Sequence, residues 1–487
     1  MRHSPSSARY ERAFYVLFLL YAAVQAVSLY RTLHYFPIGF KTEGFYSPLA
    51  AHVAGLGWDG VVALIKGTVP TIGGFGPTFR PPLTPLVFAA AYSLFEPREL
   101  YALLVNNVLT SLTVLLVYLI GRGVNARVGF FAALLFVLDP IFLAQANRAE
   151  SDTMFMFFIV LFLYLACRFL AHDRRPHYGL VAASSLALIL AVFTRNAGLY
   201  VWFAAALAFV VVLWRRLGRA ELAKVLTVFL VVQFVPIGAW MARNYAITGN
   251  ADFAGGSTGV YLGWFFVPHV IAMRDGIQSS VAQRRLIEDL NKDPAYADQP
   301  LAVQEKYLVS LAVRTVLDNP GTTLLVIADN VPKLFLSYPF EVLSVFLDES
   351  SFRKWQEFDA VQFRKTYDRS NWDLASKLEV VRFYFDNGFL LPILYGFASK
   401  IMYGLTLVGG VVGLFAMMRW GGRYGWSIAI LFLLVGGVLT AVSTPVAAAR
   451  FRLPVTPMLY VSTAFLADWI LARLAARRRG LGSLRAP

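Results

Sequence analysis

The most regular feature of this sequence is a series of long apolar runs separated by short polar or basic junctions. A helix needs about 20 apolar residues to cross the hydrocarbon core of a bilayer. Ten runs meet or approach this length, and the pattern therefore predicts about ten transmembrane helices, of which the fifth is short and the eighth long. The runs are Ala13–Leu33, Leu100–Ile120, Val128–Ala144, Thr153–Leu170, Tyr178–Phe193, Gly198–Trp214, Leu222–Met241, Phe389–Met418, Trp426–Val442 and Pro454–Leu474.

Two further apolar stretches, Pro82–Phe95 and Thr322–Ser337, are marginal in length and interrupted by proline or charge. Lys and Arg accumulate in short cytoplasmic loops. The basic junctions at 2–12, 122–127, 168–175, 215–224, 419–423 and 473–485 share one side only if neither stretch crosses the membrane. We therefore expect both stretches to form interfacial or re-entrant helices on the outer face, with both termini in the cytoplasm.

This topology leaves two large outer loops, the first from residue 34 to about 99 and the second from 242 to about 388. In the second loop, apolar residues recur at helical spacing over Pro300–Leu317, and Asn319-Pro320-Gly321 ends the helix. We expect a small helical cap here. The predicted organisation is a transmembrane module of seven spans (1–241), an extracytoplasmic helical region (242–388), and C-terminal spans with a basic cytoplasmic tail (389–487).

Composition narrows the class of protein further. Hydrophobic residues make up 58% of the chain and charged residues only 15%, whereas a soluble domain carries about a quarter charged residues. A soluble enzyme and a disordered chain are thereby excluded, and a single cysteine excludes a disulfide framework. The net charge of +15 lies mostly at the junctions, where it orients the spans. The predicted fold class is an all-α polytopic membrane protein.

Charged and polar residues that could bind a ligand or take part in catalysis are concentrated at the predicted outer ends of the spans. Arginines and carboxylates stand there together, although they come from distant parts of the chain. The guanidinium group offers a planar fork of donors that suits phosphate oxygens. We therefore expect a pocket for a lipid-linked phosphate, drawn from Glu43, Asp59, Arg80, Asp139, Arg148, Glu150, Asp152, Arg195, Arg243, Asn244, Arg450 and Arg452.

Most of these residues also have a structural interpretation. An arginine at a helix end can be a membrane anchor, which applies to Arg148, Arg195, Arg450 and Arg452. Asp139 before Pro140 can end a helix, and Asp59, Glu150 and Asp152 can cap helices. His34, His52 and His269 show no metal-ligand spacing.

Five motifs in order resemble the membrane glycosyltransferases of the C-type fold (GT-C), in the branch of the protein O-mannosyltransferases and lipid A aminoarabinose transferases. They are an early acidic residue in the first outer loop (Glu43), Arg80-Pro81-Pro82-Leu83, Arg148 with Glu150 and Asp152, Thr194-Arg195, and Pro236 through Arg243-Asn244-Tyr245. Arg450-Phe451-Arg452 supports them. The resemblance implies a bundle of about ten spans that transfers a sugar from a polyprenyl phosphate to an acceptor hydroxyl on the extracytoplasmic side.

The resemblance also implies roles for individual residues. Glu43 matches the loop carboxylate that acts as general base, Arg80 matches the basic residue that contacts the donor phosphate, and attack opposite the phosphate implies inversion at the sugar C1. The full prediction is catalytic residues Glu43 and Asp59, donor-phosphate ligands Arg80, Arg243, Arg148 and Arg450, and substrate-binding residues Glu150, Asp152, Asp139, Arg195, Asn244 and Arg452.

Partners and location follow from the same resemblance. Protein mannosyltransferases carry adjacent acidic residues where this chain has Thr42-Glu43-Gly44, which favours a lipid-linked glycan or lipopolysaccharide acceptor over a protein. No cofactor is required, a divalent metal is left open, no nucleic acid is expected, and the bacterial inner membrane is the expected location.

Two other functions stay open at this point. A polymerase of lipid-linked glycan repeats would share the outer arginines, but it would use a pyrophosphate-linked donor. A lipid or polysaccharide exporter should have ionisable residues at mid-membrane depth, whereas the mid-span polar residues Gln25, Asn106, Asn107 and Gln233 are uncharged.

Overall fold

The computed structural model describes residues 5–35, 46–71, 80–95, 99–171, 176–253, 257–337 and 385–478, together with positions 350, 353–354, 378 and 382–383. A helix stands at each of the ten predicted runs. In chain order the helices are α1 (Pro5–Tyr35), α2 (Tyr46–Gly55), α3 (Trp58–Lys66), α4 (Leu83–Phe95), α5 (Glu99–Arg122), α6 (Ala126–Leu138), α7 (Pro140–Ala146), α8 (Asp152–Ala171), α9 (Tyr178–Thr194), α10 (Val201–Leu213), α11 (Arg219–Thr248), α12 (Ser257–Val260), α13 (Val267–Asp275), α14 (Ser279–Lys292), α15 (Leu301–Asp318), α16 (Pro320–Leu336), α17 (Leu390–Trp420), α18 (Gly422–Ser443) and α19 (Thr456–Arg478).

Eight helical segments in the described ranges are long and apolar enough to cross a membrane, and α6 with α7 makes a ninth if this bent pair is one span. The tenth predicted run is α9, an apolar helix of 17 residues. Helices α4 and α16, predicted to lie at the surface, are not among the spans. The chain is therefore a multi-pass membrane protein built of α-helices, as the sequence predicted.

The run Val128–Ala144 does not form one straight helix. Helix α6 ends at Leu138, and α7 leaves it at an angle of 62°. The Asp139 carboxylate accepts a hydrogen bond from the backbone N–H of Ile141 at 3.1 Å, and Pro140 occupies the first turn of α7. A side-chain acceptor before the helix and a proline inside its first turn are the usual features of a helix start. The interpretation of Asp139 as a helix-ending residue is confirmed.

Close helix contacts depend on glycine at a few positions. A Cβ built on Gly413 of α17 would lie 2.1 Å from the carbonyl oxygen of Ser462 in α19. No side chain fits at that distance, so the two backbones can approach one another only because this residue is glycine. Small residues at such crossings are the usual way in which membrane helices pack, since apolar burial does not drive their association in lipid.

Polar contacts mark the two ends of the bundle. At one end, Arg122 pairs with Glu11 at 2.7 Å and Arg127 pairs with Asp468 at 2.9 Å. Glu11, Arg122 and Arg127 belong to junctions that were predicted to be cytoplasmic, and Asp468 lies near the predicted cytoplasmic end of the last run. The other end carries helices α2 to α4, the predicted cap helix α15, and the residues described next.

Candidate functional site

Two asparagines of α5 form hydrogen bonds to the backbone of the loop between α7 and α8. Asn106 donates through Nδ2 to the carbonyl oxygens of Arg148 (2.6 Å) and Glu150 (3.2 Å). Asn107 donates to the carbonyl oxygen of Ala146 at 3.1 Å. Both amides are buried within an otherwise apolar helix. They give these carbonyl groups buried hydrogen-bond partners, which ties the backbone at 146–150 to α5.

Glu150 joins two arginines that are far apart in the sequence. Arg148 Nε lies 2.6 Å from one carboxylate oxygen, and Arg450 Nη1 lies 2.5 Å from the other. The Glu150 side chain is 1% exposed. A carboxylate this deeply buried needs positively charged partners. The single negative charge of Glu150 balances one of the two positive charges of Arg148 and Arg450.

A second buried ion pair joins α8 to the end of α9. Arg195 Nη1 lies 2.6 Å from Asp152 Oδ1 and also donates to the Ser151 hydroxyl at 3.3 Å. Burial alone would lower the pKa of Arg195, but Asp152 together with the nearby tyrosines Tyr46 and Tyr261 acts in the opposite direction, and the pKa is raised. Arg195 therefore stays charged, and the structure brings together Arg148, Glu150, Asp152, Arg195 and Arg450.

Phe451 contacts an arginine of each ion pair. The Arg195 guanidinium lies 5.0 Å from the centre of its ring, and the Arg450 guanidinium lies 5.4 Å from it. A cation near an aromatic ring is stabilised by the negative face of the ring. Phe451 thus stabilises both charges in a small volume.

Arg80 reaches the same region from the first outer loop. Its Nη1 donates to the Tyr261 hydroxyl at 2.9 Å, and its guanidinium lies 5.8 Å from the Tyr261 ring centre. Tyr261 begins a π-helical turn, Tyr261–Phe266. Such turns occur often at functional sites.

A cavity of about 390 Å³ lies between these residues. Arg80, Asp152 and Arg195 supply the charged side chains of its lining. Most of the remaining wall is apolar or aromatic, and it includes Tyr46, Phe155, Leu262, Val442, Val446 and Pro454. The site thus combines two guanidinium groups with an apolar chamber, which is the surface that a phosphate on a hydrocarbon chain requires.

A second cavity, of about 510 Å³, adjoins the first. The two cavities share Asn196, Tyr200 and Thr258 in their linings. The second is more polar, because Asp252, Glu305, Lys306 and Ser310 contribute to it. Glu305, Lys306 and Ser310 come from α15, so the predicted cap helix forms part of a chamber next to the arginines.

Asp139 and Arg452, predicted to bind substrate, lie in a separate buried cluster. Asp139 accepts hydrogen bonds from the hydroxyls of Tyr403 (2.8 Å) and Tyr460 (2.6 Å), and Arg452 Nη2 is 4.0 Å away. Arg452 also donates to the carbonyl oxygen of Phe335 at 2.5 Å. Neither residue is part of the described lining of the first cavity. Their contacts join α7, α16, α17 and α19.

Arg243 and Asn244 also lie away from the described lining of the first cavity. Arg243 Nε donates to the carbonyl oxygen of Ile65 at 2.7 Å, and Nη2 donates to that of Leu64, at the end of α3. Asn244 donates to the carbonyl oxygen of Asp252 at 2.8 Å. Both residues thus form hydrogen bonds to the backbone of neighbouring segments. The predicted phosphate contact of Arg243 stays a prediction.

Of the two predicted catalytic carboxylates, only Asp59 lies among the described residues, and it is not part of the described lining of either cavity. Asp59 is exposed in the first turn of α3, and Glu43 lies outside the described residues. In the ranges that the structure covers, no three His, Cys, Asp or Glu side chains are grouped to hold a metal ion. The question of a divalent metal stays open.

Several residues of the site were not predicted from the sequence, among them Asn106, Asn107, Tyr261 and Phe451. The asparagines carried a signal, because an amide in a membrane span must find a partner. Phe451 stood between two predicted arginines. Tyr261 carried no signal, since its contact with Arg80 joins residues 181 positions apart.

Residues 79–240, a third of the chain, match the sequence model of the dolichyl-phosphate-mannose-protein mannosyltransferase family. Arg80, Arg148, Glu150, Asp152 and Arg195 all fall within this stretch. The resemblance predicted from the motifs is confirmed over this part of the chain. A protein of Aquifex aeolicus (strain VF5), described as uncharacterized, is 26% identical over 175 residues, which are 35% of this chain and 34% of that protein.

Among solved structures, ArnT from Cupriavidus metallidurans bound to undecaprenyl phosphate is similar with a TM-score of 0.38 and 15% identity, over 93% of this chain and 77% of that one. The oligosaccharyltransferase AglB from Archaeoglobus fulgidus, in complex with an inhibitory peptide and a dolichol-phosphate, gives 0.45 and 13%, over 98% of this chain and 52% of that one. This chain thus spans about half of the archaeal protein. These scores are too low for the ligands of either protein to be assigned to this chain.

Proposed function

We propose that this chain is an integral-membrane glycosyltransferase. It moves a sugar from a polyprenyl-phosphate donor to a hydroxyl of an acceptor on the extracytoplasmic face, with inversion at the sugar C1. The observation that carries the proposal is the first cavity, in which Arg80 and Arg195 line an otherwise mostly apolar chamber. The family match over residues 79–240 supports it.

The charged part and the apolar part of the first cavity's lining each bind a different part of the donor. The phosphate lies against Arg80 and Arg195, where charge-assisted hydrogen bonds are about twice as strong as neutral ones. The first isoprene units lie against the apolar wall that includes Val442, Val446 and Pro454. Burial of this hydrocarbon contributes about 25 cal/mol per Å² of apolar surface removed from water.

The transfer step needs positive charge near the leaving group. When the C1–O bond breaks, the electron pair stays on the phosphate oxygen, so the lipid phosphate gains negative charge. Fixed hydrogen-bond donors directed at developing charge stabilise the transition state strongly, and this effect often contributes more to enzyme catalysis than any other. Arg80 and Arg195 supply such donors, and the phosphate leaves as a stable anion without a general acid.

The attacking hydroxyl must lose its proton as it forms the bond to C1, and a carboxylate can accept this proton. The resemblance gives this role to Glu43, which lies outside the described residues. The acceptor we propose is a lipid-linked glycan or a part of lipopolysaccharide, in a bacterial inner membrane with both termini cytoplasmic. The more polar second cavity lies next to the first, in a suitable place for such a hydroxylated acceptor.

A donor panel tests this proposal. Purified full-length protein in detergent is incubated with several undecaprenyl-phosphate sugars, with and without a chelator, and release of free undecaprenyl phosphate is measured. We expect release with at least one donor. Arg80→Ala should lower the rate by roughly 10²- to 10³-fold, the usual cost of losing one fixed donor to a developing anion.

Arg284→Ala is the matched control, because this arginine is exposed on α14 of the cap. It should keep the wild-type rate. Absence of release with every donor, with and without added Mg²⁺ or Mn²⁺, would refute the proposed function. A wild-type rate in Arg80→Ala would refute the phosphate site.

A further inference from the structure

The two carboxylate oxygens of Asp152 have different surroundings. Oδ1 accepts the hydrogen bond of Arg195 at 2.6 Å. Oδ2 is buried and has no hydrogen-bond partner among the residues that the structure describes. The side chain is 5% exposed and lines the first cavity. A buried carboxylate oxygen without a donor is costly, which indicates that a ligand completes this site.

The chemistry of Oδ2 restricts that ligand. A carboxylate oxygen only accepts hydrogen bonds, so the partner must be a donor and cannot be the donor lipid's phosphate. Asn196, which follows Arg195, lines both cavities together with Tyr200 and Thr258. A hydroxylated molecule in the second cavity can therefore extend a hydroxyl past these residues toward Asp152.

We propose that Asp152 is a catalytic residue that accepts the proton of the attacking hydroxyl through Oδ2. This inference rests on the proposed function. In the step, the hydroxyl oxygen forms a bond to the sugar C1 and its proton moves to Oδ2. The bond from C1 to the phosphate oxygen breaks, and its electron pair remains on the lipid phosphate.

The charge balance favours this assignment. Before the step, the donor phosphodiester and the Asp152 carboxylate each carry one negative charge near Arg195. Afterwards Asp152 is neutral and the phosphomonoester carries about −1.5 to −2. The total charge beside Arg80 and Arg195 therefore changes little while charge moves from the carboxylate to the phosphate. Arg195 is already hydrogen-bonded to Oδ1. It can therefore stabilise the negative charge both before and after the step without changing its position.

Neighbouring charges keep Asp152 ready to accept a proton. Arg195 holds its Oδ1 in an ion pair, while Glu150 is engaged by Arg148 and Arg450. The positive charge of Arg195 favours the ionised form of Asp152, which is the form that a general base requires. Glu150 has both oxygens occupied by arginines and is less suited to this role.

The test compares Asp152→Asn with Asp152→Glu and Glu43→Gln in the full-length protein. Binding of undecaprenyl phosphate and the pH dependence of undecaprenyl phosphate release from the active donor are both measured. Asp152→Asn should lower kcat by about 10²- to 10⁴-fold, the usual contribution of general base catalysis. It should bind undecaprenyl phosphate at least as tightly as the wild type, because Arg195 loses its competing anion.

The fall in rate at acid pH should disappear in Asp152→Asn and persist in Glu43→Gln. Asp152→Glu should recover part of the rate, and it keeps the test valid if the asparagine variant folds poorly. Asp298→Asn, which alters an exposed cap carboxylate, is the matched control and should behave as wild type. If Asp152→Asn has an unchanged kcat, or still loses activity at acid pH as the wild type does, the inference about Asp152 is overturned and the proposed function is not. A wild-type protein that neither binds undecaprenyl phosphate nor releases it from any donor would overturn it together with the proposed function.

Discussion

Arg450 Nη1 lies 2.5 Å from Glu150 Oε2, although the two residues are 300 positions apart in the chain. This contact connects the loop before α8 to the turn before α19. It places an arginine from the C-terminal spans beside residues of the N-terminal module. The site therefore forms only when the two ends of the chain have packed together.

Replacing Glu150 by Ala should destabilise the protein. The change leaves Arg148 and Arg450 close together with no shared anion in a buried place. Breaking a buried pair by removing one partner costs about 3–5 kcal/mol, so we expect a clear drop in the midpoint of thermal unfolding in detergent. Glu150→Gln, which keeps the shape and one acceptor, should lose less.

The control for this prediction is Asp275→Ala, because Asp275 also pairs with an arginine but is exposed. Exposed pairs contribute about 0–1 kcal/mol, so its unfolding midpoint should stay near the wild-type value. Equal midpoints for Glu150→Ala and the wild type would show that the buried pair contributes nothing measurable.

Replacing Arg243 by Ala should loosen the end of α3. Its guanidinium donates to the carbonyl oxygens of Leu64 and Ile65, and the last carbonyls of a helix have no partner within the helix. Amide hydrogen exchange over residues 58–67 should therefore become faster. The Kd for undecaprenyl phosphate should rise less than it does in Arg80→Ala.

Arg243→Lys separates charge from geometry in the same experiment. A lysine keeps the positive charge but cannot hold two carbonyls with a planar fork, so it should exchange almost as fast as the alanine variant. Loss of donor binding equal to that of Arg80→Ala, with unchanged hydrogen exchange, would instead identify Arg243 as a phosphate ligand.

Replacing Asp139 by Ala should unfold the protein at a lower temperature without weakening donor binding. Asp139 accepts hydrogen bonds from two tyrosine hydroxyls and a backbone N–H. Hydrogen bonds to charged groups contribute about 1.5–3 kcal/mol each. Tyr460→Phe removes one of them and should cost about that amount.

Tyr395→Phe is the comparison for that loss, since its hydroxyl donates to the carbonyl oxygen of Leu138 at 3.3 Å in an exposed position. It should change the unfolding midpoint little. A marked rise in the Kd for undecaprenyl phosphate in Tyr460→Phe, without loss of stability, would contradict the structural role of the Asp139 cluster.

The helices could be predicted because the thickness of a bilayer sets the length of an apolar run. Helix α15 and the break at Asp139-Pro140 could be predicted from local signals, namely helical spacing and a capping residue before proline. The bend of α6 against α7 was not predicted, because the apolar pattern continues through it. The angle depends on packing against distant helices.

The arginine cluster could be predicted in part. A shared outer face brought Arg80, Arg148, Arg195 and Arg450 together in the prediction, and the structure places them around one region. Arg243 and Arg452 have the same residue type and predicted side, yet they bind backbone carbonyls. The guanidinium fork suits a carbonyl as well as a phosphate, so residue type and topology do not distinguish the two uses.

The asparagines of α5 have a consequence for how this protein can change over time. They fasten the loop that carries Arg148 and Glu150 to the interior of the bundle, whereas Glu305, Lys306 and Ser310 of the second chamber come from α15. Substitutions in the cap can therefore accumulate without shifting the anchored loop. The lining of the second cavity can thus change while Arg148 and Glu150 keep their positions.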